Sequence, residues 1–151
     1  MPNLKSCIDR HNSKILNRGM ANQEVNCNCQ KSRKHECPIP GQCATPSVVY
    51  RACVRRHDNL SVDIYTGLTG DSFKKRFTKH KSDVNTGKNT ASKLSHHCCY
   101  LKDNQIPYDV DWSIVTRAPT YNPTSRLCRP CVTEAYHILF TPAGASLNKR
   151  D

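Results

Sequence analysis

Aromatic side chains are scarce in this chain, acids are outnumbered, and no long apolar run occurs. Of 151 residues, 7% are aromatic and 36% hydrophobic, which permits one modest core and leaves no material for a large one. No stretch approaches the roughly 20 apolar residues of a membrane-spanning helix, so no membrane segment is expected. The opening Met1-Pro2-Asn3-Leu4-Lys5-Ser6-Cys7 lacks the apolar region of a secretory signal. An intracellular location, where thiols stay reduced, is therefore expected. Only 12 acids stand against 23 lysines and arginines, a formal net charge of +11. That surplus favours a polyanion as partner, because each contacted phosphate releases condensed counterions. Charge alone fits a merely soluble basic protein as well. There is no internal repeat and no low-complexity tract.

What the chain does have is cysteine, ten in all. Cys27-x-Cys29, Cys37 and Cys43 fall in a segment with little apolar content, which cannot build a core and needs a staple. Four thiolates satisfy tetrahedral zinc, and Gly41, Pro38 and Pro40 suit the turns between them. His35 can replace one cysteine, and reduced thiols or disulfides are the other readings. Cys128-x-x-Cys131 is a weaker pair. Its partners for a second zinc would come from His96, His97, Cys98 and Cys99, or from His137. Buried thiols at Cys98 and Cys131 are the reading preferred here, with His96 and His97 at the surface or facing DNA.

Three parts are expected: a polar helical lead-in at 1–25, a zinc-stapled cysteine-rich module at 26–46, and a domain at 47–151. Val48 to Val54 reads as a strand, His57-Asp58-Asn59 as a turn, and Leu60 to Thr66 as the returning strand of a hairpin. Asp71 or Ser72 can cap a helix to about Asn85. A second helix is expected over Ala91 to Asp103, a third strand over Tyr108 to Val115, and a short helix from Cys131 to Phe140, ended by Pro142 and Gly144. The fold class is α+β: a small antiparallel three-stranded sheet flanked by helices and preceded by the cysteine module.

On the first long helix, Phe73, Phe77 and Val84 mark the core-facing stripe. Arg76 and His80 lie one turn apart beside it, and Lys74, Lys75 and Lys79 face solvent. A guanidinium beside an imidazole suits a phosphodiester, since arginine can hold two oxygens at once. A basic surface with a partly buried histidine has the same pattern. On the last helix Cys131, Ala135, Ile138 and Leu139 form the expected apolar side, with Glu134 at its border. A carboxylate there is either a solvated flank or a ligand for Mg²⁺, which takes one or two carboxylates plus water and phosphate oxygens.

The order of these parts carries more than any one of them. Val48-Val49-Tyr50, Tyr65-Thr66-Gly67, Arg76, His80, Glu134 and Asn148 together resemble the GIY-YIG nucleases, although the tripeptides read Val-Val-Tyr and Tyr-Thr-Gly. With the Cys27-x-Cys29 cluster upstream, Leu101-Lys102-Asp103, Trp112-Ser113-Ile114, Cys128-x-x-Cys131-x-x-Glu134 and Leu147-Asn148-Lys149-Arg150, the chain is similar to the endonuclease end of Penelope-like retroelements. Residues 1–25 are similar to the last piece of their reverse transcriptase.

The resemblance implies a GIY-YIG-like fold and a nuclear enzyme that nicks a DNA target, so that the freed 3′-hydroxyl primes reverse transcription. Partners would then include the element RNA and the reverse transcriptase region. Glu134 would hold Mg²⁺ or Mn²⁺, and Cys27, Cys29, Cys37 and Cys43 would hold structural Zn²⁺. Arg76 would hold a phosphate oxygen, Tyr50 or His80 would activate water, and Tyr65 would position the nucleophile or the phosphate. Asn148 would position the phosphate or the Glu134 helix, and Lys74, Lys75, Lys79 and Lys81 would contact nucleic acid. An inert zinc-containing nucleic-acid binder and a secreted disulfide protein are the competing readings.

Overall fold

Val48, Val49, Tyr50, Ala52 and Val54 are fully buried, so strand β1 (Pro46–Arg56) is covered on both faces and must be central. The structure, a computed structural model, describes residues 37–88, 92–119, 122–140 and 145–148, with Cys27 and Cys29. The expected lead-in at 1–25, His35, Pro142 and Gly144 lie outside the described residues. β2 (Val62–Ser72) and β3 (Tyr108–Arg117) flank β1 in the order β2-β1-β3, both antiparallel to it. The architecture is α+β, as the sequence predicts: a three-stranded antiparallel sheet, three helices among the described residues, and a cysteine cluster able to bind metal.

The hairpin turn is held by its polar side chains. Asp58 Oδ1 accepts the Asn59 N–H at 2.8 Å, and Asn59 Oδ1 accepts the Ser61 N–H at 3.0 Å. Leu60 does not begin the return strand as expected. It adopts φ 57° at the turn and is exposed, so β2 starts at Val62 and continues well past Thr66 to Ser72. Helix α1 (Phe73–Thr86) follows without a loop. Neither Asp71 nor Ser72 caps it with a side chain. The Phe73 and Lys74 N–H groups instead donate to the Thr45 and Cys43 carbonyls, at 3.1 and 2.6 Å. The helix ends on Gly87 at φ 64°, the left-handed residue that closes helices most easily.

Helix α2 (Lys93–Asp103) starts at Ser92, whose hydroxyl accepts the Ser95 N–H at 3.1 Å. Leu94, Cys98 and Leu101 pack with Ala52 and Val54 in one cluster. Cys29, Ile39 and Cys43 share the other cluster with Val48, Tyr50 and Phe73, so the cysteine segment does not stand apart from the sheet. Helix α3 (Arg129–Leu139) packs on β2 and touches β1. Its buried or half-buried residues are Pro130, Thr133, Glu134, His137 and Ile138. The apolar side expected for it is misplaced by the sequence: Cys131, Ala135 and Leu139 are exposed, as are Val132 and Tyr136.

β2 is an edge strand whose outer backbone is closed by a 3-10 turn at Ser146–Asn148. Ser146 Oγ accepts the Ile64 N–H at 2.8 Å. Asn148 Oδ1 accepts the Thr66 N–H, and its Nδ2 donates to the Thr66 carbonyl, both at 2.7 Å. Asn148→Ala leaves both backbone groups of fully buried Thr66 unpaired. It should lower stability in urea unfolding by about 1–3 kcal/mol and speed hydrogen exchange at the Thr66 amide.

Candidate active site

Three elements deliver the polar groups. In the β1–β2 register Gly67 faces Tyr50, and Tyr65 faces Ala52, so the two tyrosines lie on one side of the sheet with ring centroids 6.3 Å apart. Arg76 and His80, one turn apart on α1, come down on the same side. Tyr50 Oη lies 2.8 Å from His80 Nε2 and 3.1 Å from Arg76 Nε. A guanidinium can only donate, so Tyr50 accepts from Arg76, while its bond to His80 Nε2 runs either way with the imidazole tautomer. The aromatic wall is Trp112 of β3, whose ring centroid is 6.0 Å from Tyr50 and 5.7 Å from His80, with Phe73 and Phe77 beside it. Gly67 is the floor: a Cβ there would lie 2.6 Å from Tyr50 Oη and 2.9 Å from Tyr65 Cε1.

Burial, with Tyr65 alongside, pushes the Tyr50 hydroxyl above the ordinary phenol range, while Arg76 pulls the other way. Burial and then the Arg76 and Lys79 charges push His80 down to about 4. His80 is thus neutral at pH 7. Its buried Nδ1 has no hydrogen-bond partner among the described residues. Folding therefore opposes its protonation. Below pH 6.5 the unfolded chain gains a proton that the folded chain refuses until about pH 4, so stability falls as pH drops through that window. The His80 contribution is on the order of 2 kcal/mol between pH 7 and pH 5. His80→Phe should flatten that part of the pH dependence of the urea midpoint.

Beside this cluster, a cleft of about 620 Å³ is lined by Leu68, Thr69, Gly70 and Asp71 of β2 and by Lys75, Arg76 and Lys79 of α1. Glu134, half-buried on α3, lies close enough for Arg76 to act on it. Burial raises its carboxyl above the usual range, against the Leu68 N–H and the Arg76 guanidinium. Arg76 therefore joins tyrosine, cleft and carboxylate.

The four thiols of Cys27, Cys29, Cys37 and Cys43 lie within 4.8 Å of one another. Cys27 and Cys37 approach to 3.6 Å, Cys29 and Cys43 to 3.4 Å. A tetrahedral zinc with bonds of about 2.3 Å sets its sulfurs about 3.8 Å apart, so the set can hold a metal ion and fits structural zinc. The Cys29 backbone, then the Cys43 thiol, pushes Cys27 down to about 6, while burial pushes Cys37 and Cys43 up.

Compared with protein-family models, curated proteins and solved structures, the chain matches none.

The structure brings Tyr50, Tyr65, Arg76 and His80 together and sets Glu134 within electrostatic reach of Arg76. Asn148, expected to hold phosphate or the Glu134 helix, has both polar atoms of its side chain on the Thr66 backbone instead. Lys75 and Lys79 line the cleft, Lys75 also reaching Asp71 at 3.6 Å, while Lys81 is exposed away from it. Lys74 turns the other way and donates to Cys29 Sγ at 3.5 Å. Cys128 and Cys131 are bonded to each other, and Cys131 is exposed rather than buried. Cys98 is a buried thiol that burial pushes up to about 11. His96 is exposed, and His97 Nε2 sits 3.1 Å from Asp63 Oδ2, near enough for ion pairing but off the line of a hydrogen bond. Two site residues, Gly67 and Trp112, stood in the sequence only as members of the Tyr65-Thr66-Gly67 and Trp112-Ser113-Ile114 motifs, with no role of their own. A glycine inside a strand pattern is itself a sign of close approach. Beyond its motif, Trp112 had no signal except being the one tryptophan.

Proposed function

We propose that the chain is a metal-dependent DNA endonuclease of the GIY-YIG type, the nicking module of a Penelope-like retroelement protein. The observation that carries this reading is the Tyr50 hydroxyl held between His80 Nε2 and Arg76 Nε, at 2.8 and 3.1 Å. The net charge of +11 and the lysine-lined cleft favour a nucleic-acid substrate.

The scissile phosphate enters the cleft, where Arg76, Lys75 and Lys79 neutralise its oxygens. The Tyr50 hydroxyl takes a proton from the attacking water as its own passes to His80 Nε2. Arg76 meanwhile stabilises the partial negative charge that builds on the tyrosine oxygen during the transfer. The water oxygen bonds to phosphorus and the P–O3′ bond breaks, and O3′ takes a proton from solvent, leaving a 5′-phosphate and a 3′-hydroxyl. Tyr65 shapes the wall beside Tyr50. Glu134 is the carboxylate that would hold Mg²⁺ or Mn²⁺, completed by water and phosphate oxygens. The bound cation would stabilise charge on the phosphate and the leaving oxygen. Zinc at the four cysteines would be structural. A DNA target and a priming role fit a nuclear protein whose other partners are the element RNA and the reverse transcriptase region.

One observation favours the inert nucleic-acid binder: Tyr50 is wholly buried and harder to ionise than free tyrosine. A supercoiled plasmid with Mg²⁺ or Mn²⁺ decides between them. The enzyme converts it to open circles; intact plasmid at saturating protein leaves the binder.

A further inference from the structure

The cysteine cluster and the tyrosine site are parts of one packed unit. Cys29 and Cys43 lie in the same buried cluster as Val48, Tyr50 and Phe73. The first two N–H groups of α1 end on carbonyls of the cysteine segment, Phe73 on Thr45 and Lys74 on Cys43. Lys74 is bound to the segment twice, since its ammonium also lies 3.5 Å from Cys29 Sγ. Two residues further along the same helix is Arg76, and His80 follows on the next turn.

A divalent ion held by four thiolates carries a net charge of −2, and a cation beside one sulfur offsets part of it. Lys74 is the lysine the structure gives that role. Its backbone end fixes where α1 begins, and its side-chain end senses whether the thiolates are gathered round an ion. Without the ion the sulfurs take up protons and nothing draws them together, and the segment that caps α1 loses its reason to stay closed.

We infer that metal held by Cys27, Cys29, Cys37 and Cys43 sets the position of α1 and Tyr50, with Lys74 as the positioning residue that links the metal centre to the tyrosine–histidine pair. The activity arm of the test rests on the nuclease reading; the other arms do not.

Trp112 is the sole tryptophan and stacks within the Tyr50, Phe73 and His80 cluster, so its emission reports the site directly. The full zinc-loaded chain is compared with the chelated chain and with Lys74→Met and Lys74→Arg. Chelation should shift Trp112 emission to longer wavelength and move the His80 ring signals in NMR, while circular dichroism keeps the sheet. Lys74→Met should release zinc to a chromophoric chelator about 10–100-fold more readily, the range for lost partners of metal ligands, and should show part of the same emission shift. Lys74→Arg should restore both. Should chelation unfold the whole chain, the Lys74→Met protein, with all four thiols intact, decides by the same emission. The inference is overturned if Trp112 and His80 ignore chelation. It is equally overturned if Lys74→Met keeps zinc like the wild type and loses only DNA affinity. If the zinc and emission arms behave as expected but the loaded wild type never nicks DNA, the nuclease reading fails and the coupling stands.

Discussion

Replacing Gly67 with alanine should lower stability by about 2 kcal/mol and slow nicking about a hundredfold. Glycine to alanine inside a strand ordinarily stabilises, by roughly 0.5–1 kcal/mol, because the freer residue loses more entropy on folding. The sign reverses here. The new Cβ would stand 2.6 Å from Tyr50 Oη and 2.7 Å from its Cζ. Tyr50 cannot swing away, since Phe73, Trp112 and His80 pack against its fully buried ring. Overpacking of this kind typically costs about 1–3 kcal/mol. A displacement approaching 1 Å at a reacting group is worth about two orders of magnitude in rate. Tyr50→Phe deletes the atom in the tightest contact, so in a double-mutant cycle Gly67→Ala should destabilise less in the Tyr50→Phe background than in the wild type. Additive losses, or a stabilised and fully active Gly67→Ala, would mean that Gly67 is not the floor of the site.

What the sequence made legible was whatever depends on local pattern. The run from Val48 to Val54 declared a strand and Ala91 to Asp103 a helix, but that the strand is central and that Leu94, Cys98 and Leu101 form the buried helix face emerged only in the fold. The four cysteines announced a clasp by spacing alone. The pairing of Arg76 with His80 was also visible, since both lie one turn apart on an unambiguous helix. Residues whose role depends on a partner far along the chain were not legible. Nothing near Asn148 says that its amide will close the backbone of Thr66, and nothing near Lys74 points to Cys29. The α1 cap was half legible for the same reason: Ser72 does sit at the N-cap, but the first N–H groups go to the Thr45 and Cys43 carbonyls rather than to its side chain. On α3 the buried or half-buried positions are Pro130, Thr133, Glu134, His137 and Ile138, a mixed set that apolar spacing does not pick out.

Glu134→Gln should abolish metal-dependent nicking, by a thousandfold or more, while the fold and DNA binding survive. The amide keeps the shape of the carboxylate and an oxygen to accept the Leu68 N–H, so α3 stays seated on β2. Burial already raises the Glu134 carboxyl above its usual range. An uncharged replacement is therefore as easy to bury or easier, and the unfolding midpoint should hold or rise. The cation is different, because a neutral amide is a poor ligand for Mg²⁺, and Asp71, the other carboxylate at the cleft, already faces Lys75 at 3.6 Å. Among the described residues, only the cysteines gather three or more metal-binding groups. DNA affinity should be unchanged or slightly higher, since a negative charge near the phosphate has gone, and its salt dependence should keep the wild-type slope because no phosphate contact is lost. Glu134→Ala separates chemistry from packing: it should lose nicking equally but also loosen α3. Metal-dependent nicking by Glu134→Gln at the wild-type rate would remove Glu134 from the catalytic machinery and leave Arg76, Tyr50 and His80 without their cation.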